Sequence, residues 1–386
     1  LTRKWPAEIN PKLTAGKKAQ PSVGREAKIS SSYTGKSKDV RSQSTYISKE
    51  QVWPRKRGRP TNPGLVLYAM SDGSFAVWDP HRNYWRTQDQ DVGDVPERPS
   101  AYVFSPAEVW DGLRGVGDTW LCNGLIRDWA GWQKENGDPF RHLKEVLKAL
   151  SPSGKEVLEP GKLTRVNLDD ARDIPTIRMA YPLDVPILHA SSGIRRIVAL
   201  AYFLVWAWQE HQQAAVLVGE PPTNQITFLI DEVEAHLHPT WQRTIIPALI
   251  SVVRNLSPDA SVQLVATTHS PLIMASVEPL FDPSSDAWFD LDYEQDEVKL
   301  QHRTFEKHGD AAGWLVSEAF DLKSGRSVEY EELTESASRL LEGENDSPEF
   351  REEVRQMNGK LAEALKPTDT FLFNWQYICR KKGWLK

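Results

Sequence analysis

The spacing of apolar and polar residues divides this chain into alternating runs, helical stripes and one apolar run that ends in acids. Ile226–Ile230 is largely apolar and leads directly into Asp231 and Glu232. That pattern predicts a buried parallel strand with two carboxylates at its C-terminal end, the edge where open α/β sheets bind ligands. Taken alone, two solvated acids at an ordinary strand end explain the pattern equally well.

A second predicted strand follows on the C-terminal side of these acids. Ser261–Thr268 has the composition of a strand and ends at His269. If the two strands are parallel neighbours, His269 lies on the same sheet edge as Glu232. A histidine at that place is suited to face a phosphate.

A small polar turn, Ser191-Ser192-Gly193, precedes a long predicted helix that starts near Ile194 and is apolar nearly all round as far as Trp208. Such a helix is buried. The free N–H groups and the dipole at its start favour an anion. Arg195 and Arg196 in the first turn are unfavourable against the dipole unless an anion is bound there. An ordinary capped helix is the alternative.

The remaining periodic segments predict a mixed α/β chain. Asp72-Gly73 between two β-rich runs is typical of a hairpin. Trp120, Trp129 and Trp132 are expected to pack in the core. Strands are predicted at 163–169, 174–180, 288–291 and 297–300, and helices at 106–113, 119–134, 140–150, 240–256 with a break near Pro247, 311–319, 329–341 and 368–384.

Composition and charge fit a globular protein with a basic start. The 386 residues are 40% hydrophobic and 26% charged, with a net charge of −6. Residues 1–60 carry 15 Lys+Arg against 4 Asp+Glu, show no periodicity and are expected to be loop-like. The two cysteines form no disulfide or metal pattern, which favours a reducing cytoplasm. No signal peptide is expected, and no apolar run reaches the roughly 18 residues of a membrane span.

Three short segments resemble functional motifs, but the residues around each segment favour another interpretation. Gly35-Lys36-Ser37 lacks the upstream glycine of a P-loop, because that position is Ser30. Arg55–Pro60 resembles the core of an AT-hook, which binds the minor groove of DNA, but a basic loop before a hairpin explains it too. Leu341–Asp346 resembles the opening of a Toprim nuclease domain, yet it follows a helical pattern instead of a strand.

The order of these parts resembles the ABC/SMC-type AAA ATPases, most closely those of the overcoming-lysogenization-defect and Septu kind. The resemblance is strong over residues 185–280 and loose elsewhere. In that family Ser191-Ser192-Gly193 corresponds to the signature motif, Asp231 to the Walker B aspartate, Glu232 to the catalytic glutamate, Glu234–Pro239 with His238 to the D-loop, and His269 to the switch histidine.

The resemblance implies an α/β fold with an ABC-ATPase-like P-loop NTPase sheet, an antiparallel β-hairpin subdomain and inserted helices. It implies four segments: a basic segment 1–60, a hairpin and helical subdomain 61–184, an ATPase core 185–280 and a C-terminal extension 281–386. ATP and Mg²⁺ are the implied cofactors, with the metal on Asp231. Ser191, Ser192, Gly193, Arg195, Arg196 and His238 are the implied nucleotide-binding residues.

The implied function is an ATP hydrolase that dimerises around ATP and drives a partner effector, a nuclease, in bacterial anti-phage defence or DNA processing. The family also needs a Walker A motif, which is expected upstream of Leu1 because these 386 residues contain no match to it. Two alternatives stay open. One is a scaffold or sensor of the same fold that does not hydrolyse ATP, and the other is a DNA-binding module led by residues 1–60.

Overall fold

The computed structural model describes residues 28–34, 39–45, 62–83, 101–115, 117–179, 181, 183–256, 260–294, 297–342 and 347–385. The chain divides into two compact units, Leu1–Thr268 and His269–Lys386. The boundary falls inside the predicted core segment 185–280. His269 is thereby the first residue of the second unit.

The first unit is a mixed α/β structure. Its strands are β1 (Lys28–Thr34), β2 (Asp39–Thr45), β3 (Leu65–Ala69), β4 (Phe75–Trp78), β5 (Tyr102–Phe104), β6 (Leu113–Arg114), β7 (Trp120–Cys122), β8 (Glu159–Pro160), β9 (Thr176–Arg178), β10 (Asp184–Pro186), β11 (Gln225–Ile230) and β12 (Ser261–Ala266). Its helices are α1 (Pro80–Asn83), α2 (Pro106–Asp111), α3 (Leu125–Glu135), α4 (Asp138–Ala149), a 3₁₀ turn at Ile187–His189, α5 (Ser192–Val218), α6 (Pro239–Gln242) and α7 (Ile245–Leu256).

The central sheet has the strand order β12-β11-β3-β4-β5. Strands β12, β11 and β3 are parallel, with Phe228 opposite both Leu264 and Leu67, whereas β4 and β5 add antiparallel. The predicted strands at Asp231 and before His269 are therefore confirmed as parallel neighbours. The predicted hairpin is confirmed as well, but its first strand is the direct neighbour of β11, so it belongs to the same sheet as the acids.

Helix α5 is buried along most of its length, as its sequence predicts. Gly219 ends it in the left-handed conformation, where glycine carries no Cβ penalty. Phe203 stacks on Phe75 of β4 with ring centroids 4.3 Å apart, and Trp206 meets Phe104 of β5 edge to face. The apolar helix thus covers the antiparallel side of the sheet. In the part of the chain that the structure describes, no helix is both long and apolar enough to span a bilayer.

Several sequence predictions in this unit need correction. Trp120 lies in strand β7 and is exposed, because Arg114 and Arg127 stack on its ring instead of core side chains. Residues 163–169 form only an isolated bridge, Thr164 with Ile174. The predicted break near Pro247 is confirmed, because α6 ends at Gln242 and helix α7 begins at Ile245, two residues before a proline that a first turn tolerates.

Within the basic segment 1–60, the described residues form strands β1 and β2 in antiparallel register, so the expectation of a loop is wrong there. Gly35-Lys36-Ser37 itself lies outside the described residues, as does Arg55–Pro60. The residues after the Gly-Lys pair form strand β2 instead of the helix that a P-loop requires. The structure around this pair therefore agrees with the sequence-based rejection of a Walker A motif.

The second unit combines a hairpin with helices. Its elements are α8 (Pro271–Val277), β13 (Trp288–Glu294), β14 (Glu297–Arg303), α9 (Ala311–Leu315), α10 (Val328–Glu342), α11 (Pro348–Ala364) and α12 (Thr370–Lys381). Helices α10 to α12 and the chain end share an apolar core around Val354, Leu361, Trp375 and Cys379. The predicted hairpin, the helix at 329–341 and the packed terminal helix are confirmed. Helix α9 is shorter than predicted, and α11 was not predicted.

Candidate active site at the carboxyl edge of the central sheet

Asp231 follows the last residue of β11 and is held on two sides. Its backbone N–H donates to the carbonyl oxygen of Ala69, at the end of β3, at 2.9 Å. The Thr267 hydroxyl donates to Asp231 Oδ1 at 2.8 Å. The carboxylate is therefore fixed at the meeting point of all three parallel strands, where the sequence placed it.

Glu232 is exposed and has a left-handed backbone, with φ 47°. A non-glycine residue in that conformation costs on the order of 1 kcal/mol and persists where its surroundings hold it. Its N–H donates to the same Thr267 Oγ1 at 2.8 Å, and the next residue, Val233, donates to the Thr267 carbonyl oxygen at 3.1 Å. The turn thereby projects the Glu232 side chain outward from the sheet edge.

Thr267 was not identified from the sequence. Its hydroxyl accepts from the Glu232 backbone and donates to the Asp231 carboxylate, so a single side chain couples both acids. Thr268 extends this connection, because its hydroxyl donates to Glu234 Oε2 at 2.6 Å. The sequence signal for this residue is the Thr-Thr pair directly before His269, and neither threonine is titratable.

The start of α5 lies against the turn that carries the acids. Ser191 is the N-cap, and its hydroxyl oxygen accepts from the Ile194 N–H at 3.4 Å. Gly193 is buried, and a Cβ at this position would lie 3.0 Å from the His236 carbonyl oxygen. His236 is itself left-handed, with φ 63°. The structure thus brings the predicted signature turn and the predicted D-loop together in one chain, with Ser191 and Ser192 exposed.

The two arginines of the first turn of α5 have different surroundings. Arg196 Nη2 donates to the Met70 carbonyl oxygen at 2.6 Å, whereas its Nη1 is buried without a hydrogen-bond partner. Burial lowers the pKa of Arg196, and the charges of Asp72 and Asp231 oppose that shift. Arg195 is exposed and stacks over the Trp110 ring at 5.2 Å. Arg196 is therefore the arginine directed to the sheet edge that carries Asp231.

Tyr68 reports the same electrostatic environment. Burial raises the pKa of its hydroxyl, and the negative charges of Asp231 and Asp72 raise it further. Two carboxylates and the Arg196 guanidinium thus share the edge formed by β3, β11 and the β3–β4 turn. This edge combines fixed negative charge with a buried cation.

The two predicted histidines occupy helix starts. His238 is the N-cap of α6, and its Nδ1 accepts from the Thr240 N–H at 3.3 Å. His269 is exposed and precedes Ser270, the N-cap of α8. His269 follows the end of β12 by three residues, close to the strand end where the sequence predicts it, whereas His238 lies eight residues beyond the end of β11.

The donor set at Asp231 fits Mg²⁺. That ion prefers hard oxygen ligands and binds through one or two carboxylates while it keeps waters and substrate phosphates. Asp231 and the Thr267 hydroxyl supply oxygens of that kind. Across the described ranges, no group of three or more His, Cys, Asp or Glu side chains converges as a metal cage.

The fold is a mixed α/β sheet with two acids at its carboxyl edge, and comparison with known proteins shows that it contains an AAA domain. Residues 16–275 match the family described as "AAA domain, putative AbiEii toxin, Type IV TA system". The chain belongs to this family. The resemblance to AAA-type ATPases of the Septu kind, first given by the motifs, is thereby confirmed.

Three known proteins are similar in sequence to part of this chain. The Septu protein PtuA of Bacillus mycoides (strain KBAB4) is 27% identical over 58% of this chain and 30% of its own length. The Retron Vc95 probable ATPase of Vibrio cholerae serotype O1 biovar El Tor is 43% identical over 37% of this chain and 26% of its own. The Retron Ec83 probable ATPase of Escherichia coli is 25% identical over 40% and 26%. The chain thus spans between a quarter and a third of these relatives.

Among solved structures, the SMC head domain from Thermotoga maritima aligns with 72% of this chain and 75% of its own, at 10% identity and a TM-score of 0.31.

Proposed function

We propose that this chain is an ABC-type ATPase subunit that binds and hydrolyses ATP between two copies of itself. The observation that carries the proposal is the Thr267 hydroxyl, which holds Asp231 and the backbone of Glu232 together at the carboxyl edge of parallel strands. This is the place where α/β sheets bind ligands. Membership of the AAA-domain family supports the same reading.

Each residue of the edge has a role in this proposal. Asp231 would hold Mg²⁺ together with the phosphates of a bound nucleotide, and the ion would supply positive charge beside the phosphoryl group. Glu232 projects from its strained turn and orients the attacking water, accepting a proton from it. His269 donates a hydrogen bond to the same phosphoryl group as charge develops.

The second copy supplies the cap of the phosphate. Ser192 is exposed at the start of α5, where the free N–H groups and the helix dipole favour an anion. Arg196, one turn further along the helix, is directed to the Asp231 edge of its own chain. We infer that this helix start of one copy contacts the γ-phosphate bound at the Asp231 edge of the other.

The coupled task that we propose is control of an effector nuclease in anti-phage defence. Support comes from the similarity to the Septu and retron proteins, which this chain covers in part only. The effector would bind the dimer and respond to its nucleotide state.

Substitution of the proposed water-orienting residue tests the hydrolysis step. Glu232→Gln keeps the shape and removes the base, so we expect phosphate release to fall about a hundredfold or more while ATP binding is retained. The measurement is steady-state phosphate release together with calorimetric ATP binding on the full natural protein. Glu353→Gln, at an exposed position of α11, is the matched control.

Two results would contradict the proposal. Unchanged turnover in Glu232→Gln would remove that residue from the mechanism. ATP binding by the wild-type protein without any turnover would instead identify a scaffold or sensor that does not hydrolyse ATP. Failure to bind ATP at all would reject both.

A further inference from the structure

The hairpin of β13 and β14 in the second unit exposes its apolar face and buries much of its charged face. Its pairing places Phe289 opposite His302, Leu291 opposite Leu300 and Tyr293 opposite Val298 on one face. The exposed fractions of the apolar side chains on this face are 52% for Phe289, 67% for Leu291, 71% for Tyr293, 67% for Val298 and 65% for Leu300. These five residues, with His302, are named the hairpin face below.

The opposite face of the same hairpin carries charged residues and packs inward. Arg303 forms ion pairs with Asp292 and, at 3.3 Å, with Glu318, and the side chains of Arg303, Asp290 and Asp292 are 28%, 17% and 19% exposed. Trp288, on this face, meets Trp314 edge to face at 5.9 Å. A hairpin with one buried face normally turns its apolar residues inward and its charges to solvent. Here the order is reversed.

The reversal is specific to the register. Side chains alternate along a strand, so a slip of one residue would exchange the two faces completely. The ion pairs of Arg303 and the packing of Trp288 hold the register that exposes the apolar residues. A two-stranded hairpin is marginal in water, and a contiguous apolar patch of this kind is typical of an interaction site.

We propose that the hairpin face is the contact between two copies of this chain, packed as a two-layer sandwich of hairpins. A two-fold interface brings the same patch together twice, so it must be complementary to itself. The described residues of the hairpin face include no Asp, Glu, Lys or Arg, so two copies meet without like-charge repulsion. Aligned sheets pack face to face about 10 Å apart through such side chains.

The available area is sufficient for a dimer. Taking about 200 Å² for each large side chain, the five exposed fractions amount to roughly 600 Å² per copy. Two copies would bury about 1,200 Å², the lower end of a standard protein–protein interface. This contact needs no nucleotide, and it is therefore independent of the proposed ATP-dependent dimer.

The test is the mass of the nucleotide-free protein by sedimentation velocity over a concentration series. We expect a dimer, and we expect Leu291→Lys with Leu300→Lys to raise its Kd about a hundredfold or more. Both positions are largely exposed, so the substitution leaves the fold intact. Leu168→Lys with Leu217→Lys adds the same charge at exposed apolar positions of the first unit and serves as the control.

A pair of variants with opposite charges distinguishes a specific interface from non-specific hydrophobic association. The Leu291→Lys, Leu300→Lys protein mixed with a Leu291→Glu, Leu300→Glu protein should form a heterodimer, although each alone is monomeric. A wild-type protein that is monomeric without nucleotide would overturn the proposal. So would a dimer unaffected by the lysines, or association without defined stoichiometry.

Discussion

At the scale of residues, Thr267 organises the candidate site more than either acid does. Its hydroxyl is the common partner of the Asp231 carboxylate and the Glu232 backbone, and its own N–H donates to the Ile230 carbonyl oxygen at 3.0 Å. Glu232, whose backbone is left-handed with φ 47°, donates its N–H to this hydroxyl at 2.8 Å. Residues that orient metal ligands in this way matter nearly as much as the ligands themselves.

Thr267→Val tests this positioning role. The isosteric change removes the hydroxyl, so we expect ATP turnover to fall about 10- to 100-fold and the Mg²⁺ concentration for half-maximal activity to rise. Steady-state phosphate release over a Mg²⁺ series measures both. Thr267→Ser keeps the hydroxyl and should restore most of the activity; equal losses in the two variants would contradict the role.

Gly193→Ala tests the contact between the helix start and the acidic turn. The new methyl group would meet the His236 carbonyl oxygen at 3.0 Å, so one of the two segments must shift. We expect a loss of about 1–3 kcal/mol in unfolding free energy, from overpacking, measured by urea denaturation. Gly131→Ala, at a position in α3 where a Cβ has open space, should instead be neutral or stabilising.

At the scale of elements, helix α12 depends on one acid at its start. Asp369 caps the helix by accepting from the N–H groups of Phe371 and Leu372, and it pairs with Arg326 at 2.9 Å. The Arg326 guanidinium lowers the pKa of this carboxyl below its usual value. Burial raises the pKa by a smaller amount. Stability from this group is therefore present above the ordinary pKa of aspartate and is lost as the pH falls through the lowered one.

Asp369→Ala should destabilise α12 by about 1–2 kcal/mol at neutral pH, because it removes both the cap and the partner of Arg326. The protection of the α12 amides from hydrogen exchange, with exchange carried out at each pH, measures the effect locally. The wild-type protein should lose protection in α12 only when the exchange is carried out below about pH 4. Protection that is unchanged in Asp369→Ala would contradict the role of the cap.

At the scale of the whole molecule, the two proposed contacts use different residues and respond to different conditions. We expect the hairpin face to associate without nucleotide, and the Asp231 edge and the start of α5 to associate around ATP. Two distinct two-fold contacts in one chain build assemblies larger than a dimer. With ATP and Glu232→Gln, which retains the nucleotide, we expect a mass above that of the nucleotide-free dimer.

The lysine variant of the hairpin face separates these contacts. With ATP, Glu232→Gln combined with Leu291→Lys and Leu300→Lys should stop at a dimer, and removal of ATP should return it to a monomer. Light scattering after size exclusion measures both masses. A combined variant that still forms the larger assembly would show that the two contacts are not separate.

The sequence by itself determined the local features. The apolar run into Asp231-Glu232, the strand before His269, the buried α5 and the Asp-Gly hairpin all follow from side-chain period and turn chemistry, which act over a few residues. Trp120 shows the limit of that reasoning, because a large apolar side chain can be exposed when arginines stack on it.

Only the tertiary structure decided which segments meet. It joined β3 to β11 across more than 150 positions of the chain, set Thr267 between the two acids and laid Gly193 against His236. It also turned the charged face of the β13–β14 hairpin inward, although the alternating sequence permits either face. Strand pairing and close packing depend on partners distant in sequence, and the residue types and spacing within one segment do not identify those partners.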